Sequence, residues 1–459
     1  MLPLYTALGR QPPDATALVH GTERWSFGRL NERSDLWARW LVANGVVPDD
    51  LVAFCRPNGP EFFALTFGVY KAGATPAPIS HKLPDFERDA ILSVMKPGLY
   101  VAETVVPEET SALLPQHVAR SWKACTSGGS TGTPKVIVDG RAAGFDAATD
   151  FIGIPKAQPV IVPGPLYHNA PFSAAVFGLS KGCCIVTMDK FNAISALQLI
   201  AREKVVWGLM VPTMMHRIMS LPVVSRDSVD LSSWKMVVHT ASPMARWLKE
   251  AWIDWRGADH IWEVYGATEG LVRCWIGGRE WLQRPGSVGK PIGGAALRVL
   301  DEQGRDVPTG EEGEIYAMPP GGAGSTYRYI GAERRSTTDG WESVGDIGHV
   351  DEEGYLFLSD RRNDLIISGG VNIWPAEVEA AILRHPQAES CAVYGVPHPD
   401  LGETVHALIE TKNEDLSADH LSAFLEPWLS RQKHPRSLTL QHEPVRDDAG
   451  KFRKKRSQI

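Results

Sequence analysis

Apolar and polar positions alternate along the first 300 residues in a way that predicts a layered α/β fold. From Phe27 to about Val46 apolar side chains recur at the spacing of one helix face, and Gly45 can end that helix. Its apolar positions are Leu30, Leu36, Leu41 and Val42. The apolar runs DLVAFC and ATPAPI follow, with the helical segment PEFFALTFGVYKAG between them. Helices that alternate with buried strands are typical of a largely parallel sheet.

The pattern recurs until about Gly293 and then changes twice. CCIVTM, VVWGLMVP and WKMVVHT predict further buried strands, and ISALQLIAREK predicts a helix between them. After Gly293, Gly and Pro turns separate short alternating segments, which predicts an antiparallel β region. The last part of the chain has the pattern of a compact α+β unit of about 100 residues. We therefore expect a large domain over residues 1–360 and a small one over 361–459, with a hinge in the charged segment 361–364.

Composition narrows the class of protein. The 459 residues are 43% hydrophobic and 22% charged, which is ordinary for a globular chain. A formal net charge of −7 argues against a protein that mainly binds nucleic acid, and the basic segment KFRKKRSQI is a local exception. The six cysteines show no CxxC spacing, so neither a zinc site nor a disulfide framework is predicted.

The first residues lack the charged start and apolar core of a secretory signal. Apolar stretches elsewhere are interrupted by charges before they reach the length of a membrane span. We expect a cytoplasmic protein with reduced thiols that binds neither a membrane nor nucleic acid. The oligomeric state stays open, with a homodimer as one possibility.

The segment CTSGGSTGTPK, which ends at Lys135, is the first candidate for chemistry. Glycine lets a backbone approach a ligand closely, and N–H groups and Ser or Thr hydroxyls can donate to phosphate oxygens. The segment differs from a Walker A loop because Lys135 follows Pro134 and precedes Val136. By itself it fits a phosphate-binding loop and a flexible turn equally well.

Three further motifs follow this segment in order. They are VYGATEG from Val264, the GDIG segment from Gly345 to Glu379, and DDAGKFRKKR from Asp447. The order and spacing of the four motifs resemble the adenylate-forming superfamily, which includes acyl-CoA synthetases, aryl-CoA ligases, peptide-synthetase adenylation domains and firefly luciferase. The resemblance covers Trp25 to about Lys455. It implies an N-terminal domain of α/β subdomains plus a distorted β-barrel, a small mobile α+β C-terminal domain, and the cofactors ATP, Mg²⁺ and coenzyme A.

The resemblance assigns a nucleotide site. It implies that the Gly-rich loop encloses the β- and γ-phosphates, through Thr126, Ser127, Gly128, Gly129, Ser130, Thr131, Gly132 and Lys135. Thr268 would contact the α-phosphate and Glu269 would hold Mg²⁺, although a lone Thr-Glu pair is more often a helix cap. Asp346 would receive the ribose hydroxyls, with Arg361 beside it. The residues implied around adenine are Ala241, Ser242 and Pro243 of the TASPM segment, together with Tyr265 and Gly266.

Lys451 matches the family's catalytic lysine, which binds the substrate carboxylate and the α-phosphate. Without the resemblance it would be interpreted as part of a solvated basic tail. In the family the C-terminal domain then swings so that the loop at Gly369 and Gly370 replaces the lysine for thioester formation. The hinge position is Asn363, where the family commonly has Asp or Lys.

The acid is chosen by a pocket that the sequence specifies only in part. By resemblance His168 is a gate between the acyl and CoA channels, and its alternative is a packed loop histidine. The other pocket candidates are Tyr167, Asn169, Phe172, Ser173, Met214 and His239. No acidic residue lies between Tyr167 and Phe177, which disfavours an amino-acid substrate. Small neighbours of Ser173, and the likeness of the CTSGGSTG loop to those of bile-acid and terpenoid-acid CoA ligases, favour a bulky apolar acid.

The predicted reaction is the ligation of an acid to coenzyme A with release of AMP and pyrophosphate. One alternative is transfer of the acyl group to a carrier-protein thiol, because both acceptors present the same phosphopantetheine arm. Another is a degenerate homologue that binds nucleotide without catalysis, which Asn363 and a shortened region before the phosphate loop keep open. A nucleic-acid binder with a basic tail ranks last.

Overall fold

The computed structural model describes residues 1–127, 134–146, 148–361, 364–412, 416–447 and 450–452. Its helices over these residues, in chain order, are α1 (Phe27–Ala43), α2 (Pro60–Lys71), α3 (Asp85–Met95), α4 (Asn169–Ser180), α5 (Ala193–Arg202), α6 (Pro212–Met219), α7 (Val223–Asp227), α8 (Arg246–Arg256), α9 (Gly278–Gln283), α10 (Pro375–Ile382) and α11 (Ala418–Leu425).

The strands of the first half are β1 (Leu2–Pro3), β2 (Thr16–His20), β3 (Glu23–Ser26), β4 (Leu51–Cys55), β5 (Thr75–Ile79), β6 (Leu99–Val101), β7 (Ala124–Ser127), β8 (Lys135–Asp139), β9 (Gly144–Phe145), β10 (Pro159–Ile161), β11 (Cys184–Thr187), β12 (Trp207–Met210), β13 (Met236–His239) and β14 (Ile261–Gly266). Those of the second half are β15 (Arg273–Gly277), β16 (Ser287–Ile292), β17 (Ala296–Leu300), β18 (Gly313–Met318), β19 (Tyr327–Ile330), β20 (Arg335–Ser336), β21 (Glu342–Ser343), β22 (Asp346–Val350), β23 (Leu356–Arg361), β24 (Ile366–Ser368), β25 (Val371–Ile373), β26 (Ser390–His398), β27 (Gly402–Glu410) and β28 (Ser437–Gln441).

The largest sheet contains both the parallel and the antiparallel strands that the sequence predicts. Its order is β20-β21-β18-β22-β23-β16-β15-β14-β13-β12-β10-β11-β2-β3, with β17 paired to β18. The pairs that join β2, β11, β10, β12, β13 and β14 in that sheet are parallel, and the pairs from β14 through β15 to β23 are antiparallel. Over the described residues the antiparallel part has an open end at β20. The expected distorted barrel is therefore present as an open sheet, not as a closed barrel.

Two three-stranded sheets, together with the two-stranded pair of β1 and β9, complete the described part of the large domain around this centre. Strands β5, β4 and β6 form a parallel sheet, and β19, β8 and β7 form an antiparallel one. The second of these sheets carries the two strands that flank the Gly-rich segment.

Helix α1 shows how the local pattern becomes structure. Ser26 caps its first turn by accepting a hydrogen bond from the Arg29 N–H at 3.2 Å. Its buried face follows the predicted 3.6-residue period, but Trp37 occupies the central position and Leu36 is only half-buried. The reason is geometric, because Trp37 is a full two turns from Leu30 and Leu36 lies off that stripe.

The C-terminal part has a hydrophobic core of its own, formed by residues between 366 and 429. It contacts the large domain through α6 and α8. Trp247 donates its indole N–H to the Ala380 carbonyl at 3.0 Å, and His216 Nε2 lies 3.1 Å from the Leu383 carbonyl. The boundary at 360/361 stays a prediction, and its hinge residue Asn363 lies outside the described residues.

Among the helices described, none is both long enough and apolar enough to cross a membrane.

Candidate active site

The predicted segments meet where parallel strands end. The TASPM segment follows β13, the Thr268–Glu269 pair follows β14, and α6 follows β12. These three strands are parallel neighbours, so their carboxyl ends lie at the same edge of the sheet. Crevices at that edge are where open α/β sheets bind ligands.

A cation, a carboxylate and a phenol lie together beside the Gly-rich segment. Lys135 Nζ lies 3.4 Å from Glu269 Oε1 and 3.1 Å from the Tyr329 hydroxyl. That hydroxyl donates to Glu269 Oε1 at 2.6 Å. Burial and the adjacent Glu269 carboxylate raise the pKa of Tyr329 well above its usual value, so the phenol stays a proton donor. The structure thus joins two predicted residues through a third that the sequence analysis missed.

Glu269 fits one requirement of a magnesium site. Mg²⁺ in nucleotide enzymes is held by one or two carboxylates together with water and phosphate oxygens, so a single protein carboxylate suffices. Among the described residues no group of three His, Cys, Asp or Glu side chains forms a site that the protein could fill alone. The donor set therefore suits a metal that is bound together with the nucleotide phosphates.

Tyr265 and Asp346 form the second predicted pair. The Tyr265 hydroxyl donates to Asp346 Oδ2 at 2.6 Å, and the Asp346 carboxylate is buried. Asp346 lies opposite Arg361 in the β22–β23 register, and only the backbone of Arg361 is described. The residues assigned to ribose and to adenine are therefore in direct contact.

The TASPM segment has a strained turn next to this pair. Ala241 adopts a φ of 82°, a left-handed conformation that residues with a Cβ seldom adopt. Gly266, at the end of β14, has no room for a side chain, because a Cβ there would lie 3.0 Å from the Val272 carbonyl oxygen. Because of the turn at Ala241 and the lack of a side chain at Gly266, main-chain atoms and not side chains approach this part of the crevice.

The turn that carries Lys451 lies against the TASPM segment and α6. A Cβ placed on Gly450 would lie 3.6 Å from Ser242 Oγ and from Thr213 Oγ1. The Lys451 N–H donates to Asp447 Oδ1 at 2.9 Å, which closes the turn. Burial raises the pKa of the Cys125 thiol, while the nearby charge of Lys451 acts to lower it and that of Glu269 to raise it. The charges of Lys451 and Glu269 therefore both act on the Cys125 thiol, which lies beside the Gly-rich segment.

Arg446 holds this turn in place, and the sequence analysis missed it. Its guanidinium donates to the Gly450 carbonyl at 3.0 Å and to the Cys391 carbonyl at 2.8 Å. It also pairs with Glu379 at 2.6 Å. Burial raises the pKa of Glu379, although the Arg446 charge opposes the shift. An Arg five residues before the predicted lysine was the available sequence signal.

His168 faces the Lys451 turn. It is buried, its Nε2 lies 3.5 Å from Asp447 Oδ2, and its ring packs on Tyr167 with centroids 4.6 Å apart. These contacts fit a gate and a packed histidine equally well. Gly369 and Gly370 form the hairpin between β24 and β25, where the Gly369 N–H donates to the Leu401 carbonyl.

Three residues of the predicted acyl pocket are buried in the interior. Phe172 is buried against the Phe62 and Trp122 rings, and Met214 lies on the buried face of α6. His239 is fully buried 3.6 Å from Glu263, and burial lowers its pKa to about 4. The side chains of these three residues point into the interior because each lies on the buried face of its helix or strand. Proximity to a motif in the sequence does not determine that face.

Asn169 and Ser173 lie on a common face of α4, with Lys123 Nζ between them. The space that small residues were expected to leave beside Ser173 is thus partly filled by a lysine side chain. Lys123 is the third residue that the sequence analysis missed, and its place just before the Gly-rich segment was the available signal.

Thr126 lies on β7 opposite Val136, and Ser127 lies opposite Lys135. Some predictions fall outside the described residues: Gly128, Gly129, Ser130, Thr131, Gly132 and Asn363.

Two family models match the chain. The model described as AMP-binding enzyme matches residues 5–126 and 124–327, and the AMP-binding enzyme C-terminal domain matches residues 377–445. The chain is 30% identical to a feruloyl-CoA synthase of Amycolatopsis, covering 97% of this chain and 96% of the relative. It is 26% identical to the fatty acid–[acyl-carrier-protein] ligase ScoC of Streptomyces coeruleorubidus, covering 96% of this chain and 92% of the relative.

A solved structure resembles the whole chain. It is the o-succinylbenzoate CoA synthetase of Bacillus subtilis in complex with its acyl-adenylate intermediate. The TM-score is 0.81 at 23% sequence identity, and the match covers 98% of this chain and 97% of the other. At that identity the likeness shows the fold.

Proposed function

This chain belongs to the AMP-binding enzyme family, and from that premise we propose that it converts a bulky, largely apolar carboxylic acid into its CoA thioester. By class it is an AMP-forming acid–CoA ligase, whose standard requirements are ATP, Mg²⁺ and coenzyme A. The observation that carries the assignment of residues is the position of the Lys451 turn against Ser242 and Thr213, next to the carboxyl ends of the parallel strands.

In the first half-reaction a carboxylate oxygen of the acid forms a bond to the α-phosphorus of ATP. The bond from that phosphorus to the bridging oxygen breaks, and pyrophosphate leaves with its electron pair. The Lys451 ammonium neutralises charge on the α-phosphoryl oxygens, and Lys135 does the same for the outer phosphates. Mg²⁺, when bound at Glu269, supplies further positive charge along the phosphates.

In the second half-reaction the CoA sulfur attacks the carbonyl carbon, AMP leaves, and the thiol proton is released. The Lys451 turn blocks the site during adenylation, so it has to withdraw. We place the rotation at residues 361–364, with the hairpin at Gly369 and Gly370 taking the position of the turn. The contacts of α6 and α8 with Leu383 and Ala380 would break in that step.

The segment that contains most of the predicted acyl-pocket residues indicates which kind of acid is bound. The segment from Tyr167 to Phe177 contains no acidic side chain to pair with a substrate ammonium, which supports a non-amino acid. The relatives are named for feruloyl, fatty and succinylbenzoate acids, so the relatives alone leave the choice among aromatic, aliphatic and larger acids open.

The test supplies the purified protein with ATP, Mg²⁺ and a panel of fatty, aryl, amino and polycyclic acids. Pyrophosphate release and acyl-CoA mass are recorded with and without coenzyme A. We expect acid-dependent pyrophosphate and a thioester for a polycyclic acid. Lys451→Ala should abolish both, whereas Lys412→Ala, an exposed lysine of the same domain, should abolish neither. ATP binding without acid-dependent pyrophosphate for any member would favour a nucleotide binder without catalysis.

Transfer to a carrier protein is the second candidate, because one relative is named as an acyl-carrier-protein ligase. The discriminating measurement is kcat/KM for free coenzyme A against a carrier protein that bears phosphopantetheine. A preference for the carrier protein would replace coenzyme A as the acceptor and leave the adenylation step unchanged.

A further inference from the structure

Lys123 is a buried cation that the reaction described above does not use. It is 3% exposed and lies at the start of the strand that leads into the Gly-rich segment. Its Nζ donates to Asn169 Oδ1 and, at 3.3 Å, to Ser173 Oγ. It also lies 4.5 Å from the centroid of the Trp122 ring. Both oxygen acceptors are neutral.

Among the described residues, no carboxylate lies within ion-pair distance of Lys123 Nζ. Asp139, whose charge acts on it, is already bound by two hydrogen bonds from the Arg141 guanidinium, at 2.9 and 2.7 Å. Arg273 adds further positive charge. A buried ammonium without a counter-ion costs free energy, and burial accordingly lowers the pKa of Lys123.

Lys123 also contacts two residues of the predicted acyl pocket, Asn169 and Ser173. The Asp139 N–H donates to the Lys123 carbonyl at 3.0 Å, so the β7–β8 ladder extends to this residue. Side chains two apart on a strand face the same side, so Lys123 is one pleat, about 7 Å, from Cys125. The Cys125 thiol senses the charges of Lys451 and Glu269. Asn169, which binds Lys123, directly follows His168, the predicted gate residue.

We propose that Lys123 determines specificity by binding a second oxygen acceptor, a carboxylate, oxo or hydroxyl group, on the acyl part of the substrate. The inference rests on the proposed acid–CoA ligase function and refines its substrate to a largely apolar acid that bears an oxygen substituent. A carboxylate supplies the countercharge that Asn169 and Ser173 cannot, because their oxygens carry no net charge, and an oxo or hydroxyl oxygen accepts the third N–H of the ammonium.

The test uses pairs of acids that differ in one oxygen group. The pairs are 2-succinylbenzoate with 4-oxo-4-phenylbutanoate, 3-hydroxycholanoate with cholanoate, and 3-(4-hydroxyphenyl)propanoate with 3-phenylpropanoate. The readout is the ratio of kcat/KM within a pair, from pyrophosphate release. A hydrogen bond to a charged group corresponds to about tenfold or more, so we expect at least one pair to show that preference. Lys123→Met, which keeps length and loses the charge, should bring the ratio to about one.

Because both acids of a pair are measured on the same variant, loss of folded protein cancels in the ratio. Lys123→Gln is a second neutral variant in case the methionine variant does not fold, and Lys123→Arg should keep the preference. Lys181→Met, at the other end of α4, is the matched control and should leave the ratio unchanged. An unchanged ratio in both neutral variants, or no preference in the wild type for any pair, overturns the proposal. Absence of pyrophosphate with every acid would instead overturn the ligase assignment.

Discussion

Arg446 provides the sharpest test of how the Lys451 turn is held. Its guanidinium binds the Gly450 carbonyl at 3.0 Å and pairs with Glu379 at 2.6 Å, and the Arg446 side chain is 17% exposed. The substitution Arg446→Met removes one charge-assisted hydrogen bond from the turn, and such a bond is worth about 1.5–3 kcal/mol. At 1.36 kcal/mol per factor of ten, this corresponds to about a 10- to 150-fold slower adenylation.

The same change leaves Glu379 buried without its partner. Removing one partner of a buried ion pair costs about 3–5 kcal/mol of folding free energy. The double variant Arg446→Met/Glu379→Gln removes the unpaired carboxylate, and the amide oxygen can still accept the Val393 N–H that Glu379 now accepts at 2.9 Å. We therefore expect the double variant to regain most of the stability without regaining adenylation.

Two assays separate these effects. Urea unfolding gives the stability of each variant, and acid-dependent ATP–pyrophosphate exchange gives the adenylation rate. Thioester formation from a supplied acyl-adenylate measures the second half-reaction, which should change little because the turn has withdrawn by then. The reasoning would be refuted if the double variant adenylated at the wild-type rate, or if adenylation and thioester formation fell by the same factor.

Two further predictions follow from the buried groups. Tyr329→Phe removes the donor that binds Glu269 at 2.6 Å, so the Mg²⁺ concentration needed for half-maximal pyrophosphate release should rise about tenfold or more; an unchanged Mg²⁺ titration would contradict this positioning role. His239 has a pKa lowered by burial to about 4 from 6.5, so only the unfolded chain gains its proton between these values. Its contribution, about 3 kcal/mol, is complete above pH 6.5 and is lost as the pH falls to 4. Unfolding of His239→Asn should show a pH slope reduced by this amount, and the slope that remains comes from other histidines whose pKa is lowered by burial, such as His216; an equal slope in both proteins would contradict the assignment.

The local pattern was sufficient for most of the architecture. The alternation of helices and buried strands predicted the parallel centre of the large sheet. The Gly and Pro turns after Gly293 predicted the antiparallel strands from β17 onward, but not that β15 and β16, which precede Gly293, are antiparallel too. The spacing of apolar residues from Phe27 and the position of Gly45 predicted the ends of α1 closely. These features depend on neighbours within a few residues, which is why they can be predicted from the order of amino acids alone.

The residues of the candidate site could be predicted from the sequence only in part. The motifs at Lys135, Glu269 and Lys451 identified the family because each is a short pattern at a characteristic position. Tyr329 could not be predicted, because it meets Glu269 across 60 residues and Lys135 across 194. The period-two alternation of a strand indicates which of its faces is buried, but not which residues the buried side chains contact.

The chain's amino-acid order therefore determined the fold class, the family and the reaction, through local periodicity and short motifs. Only the tertiary structure decided that Arg446 holds the lysine turn, that His239 is enclosed with Glu263, and that Lys123 lies uncompensated between Asn169 and Ser173. Each of these facts depends on which buried groups from distant segments come together. Their energies arise from desolvation and pairing of charges, which no local pattern records.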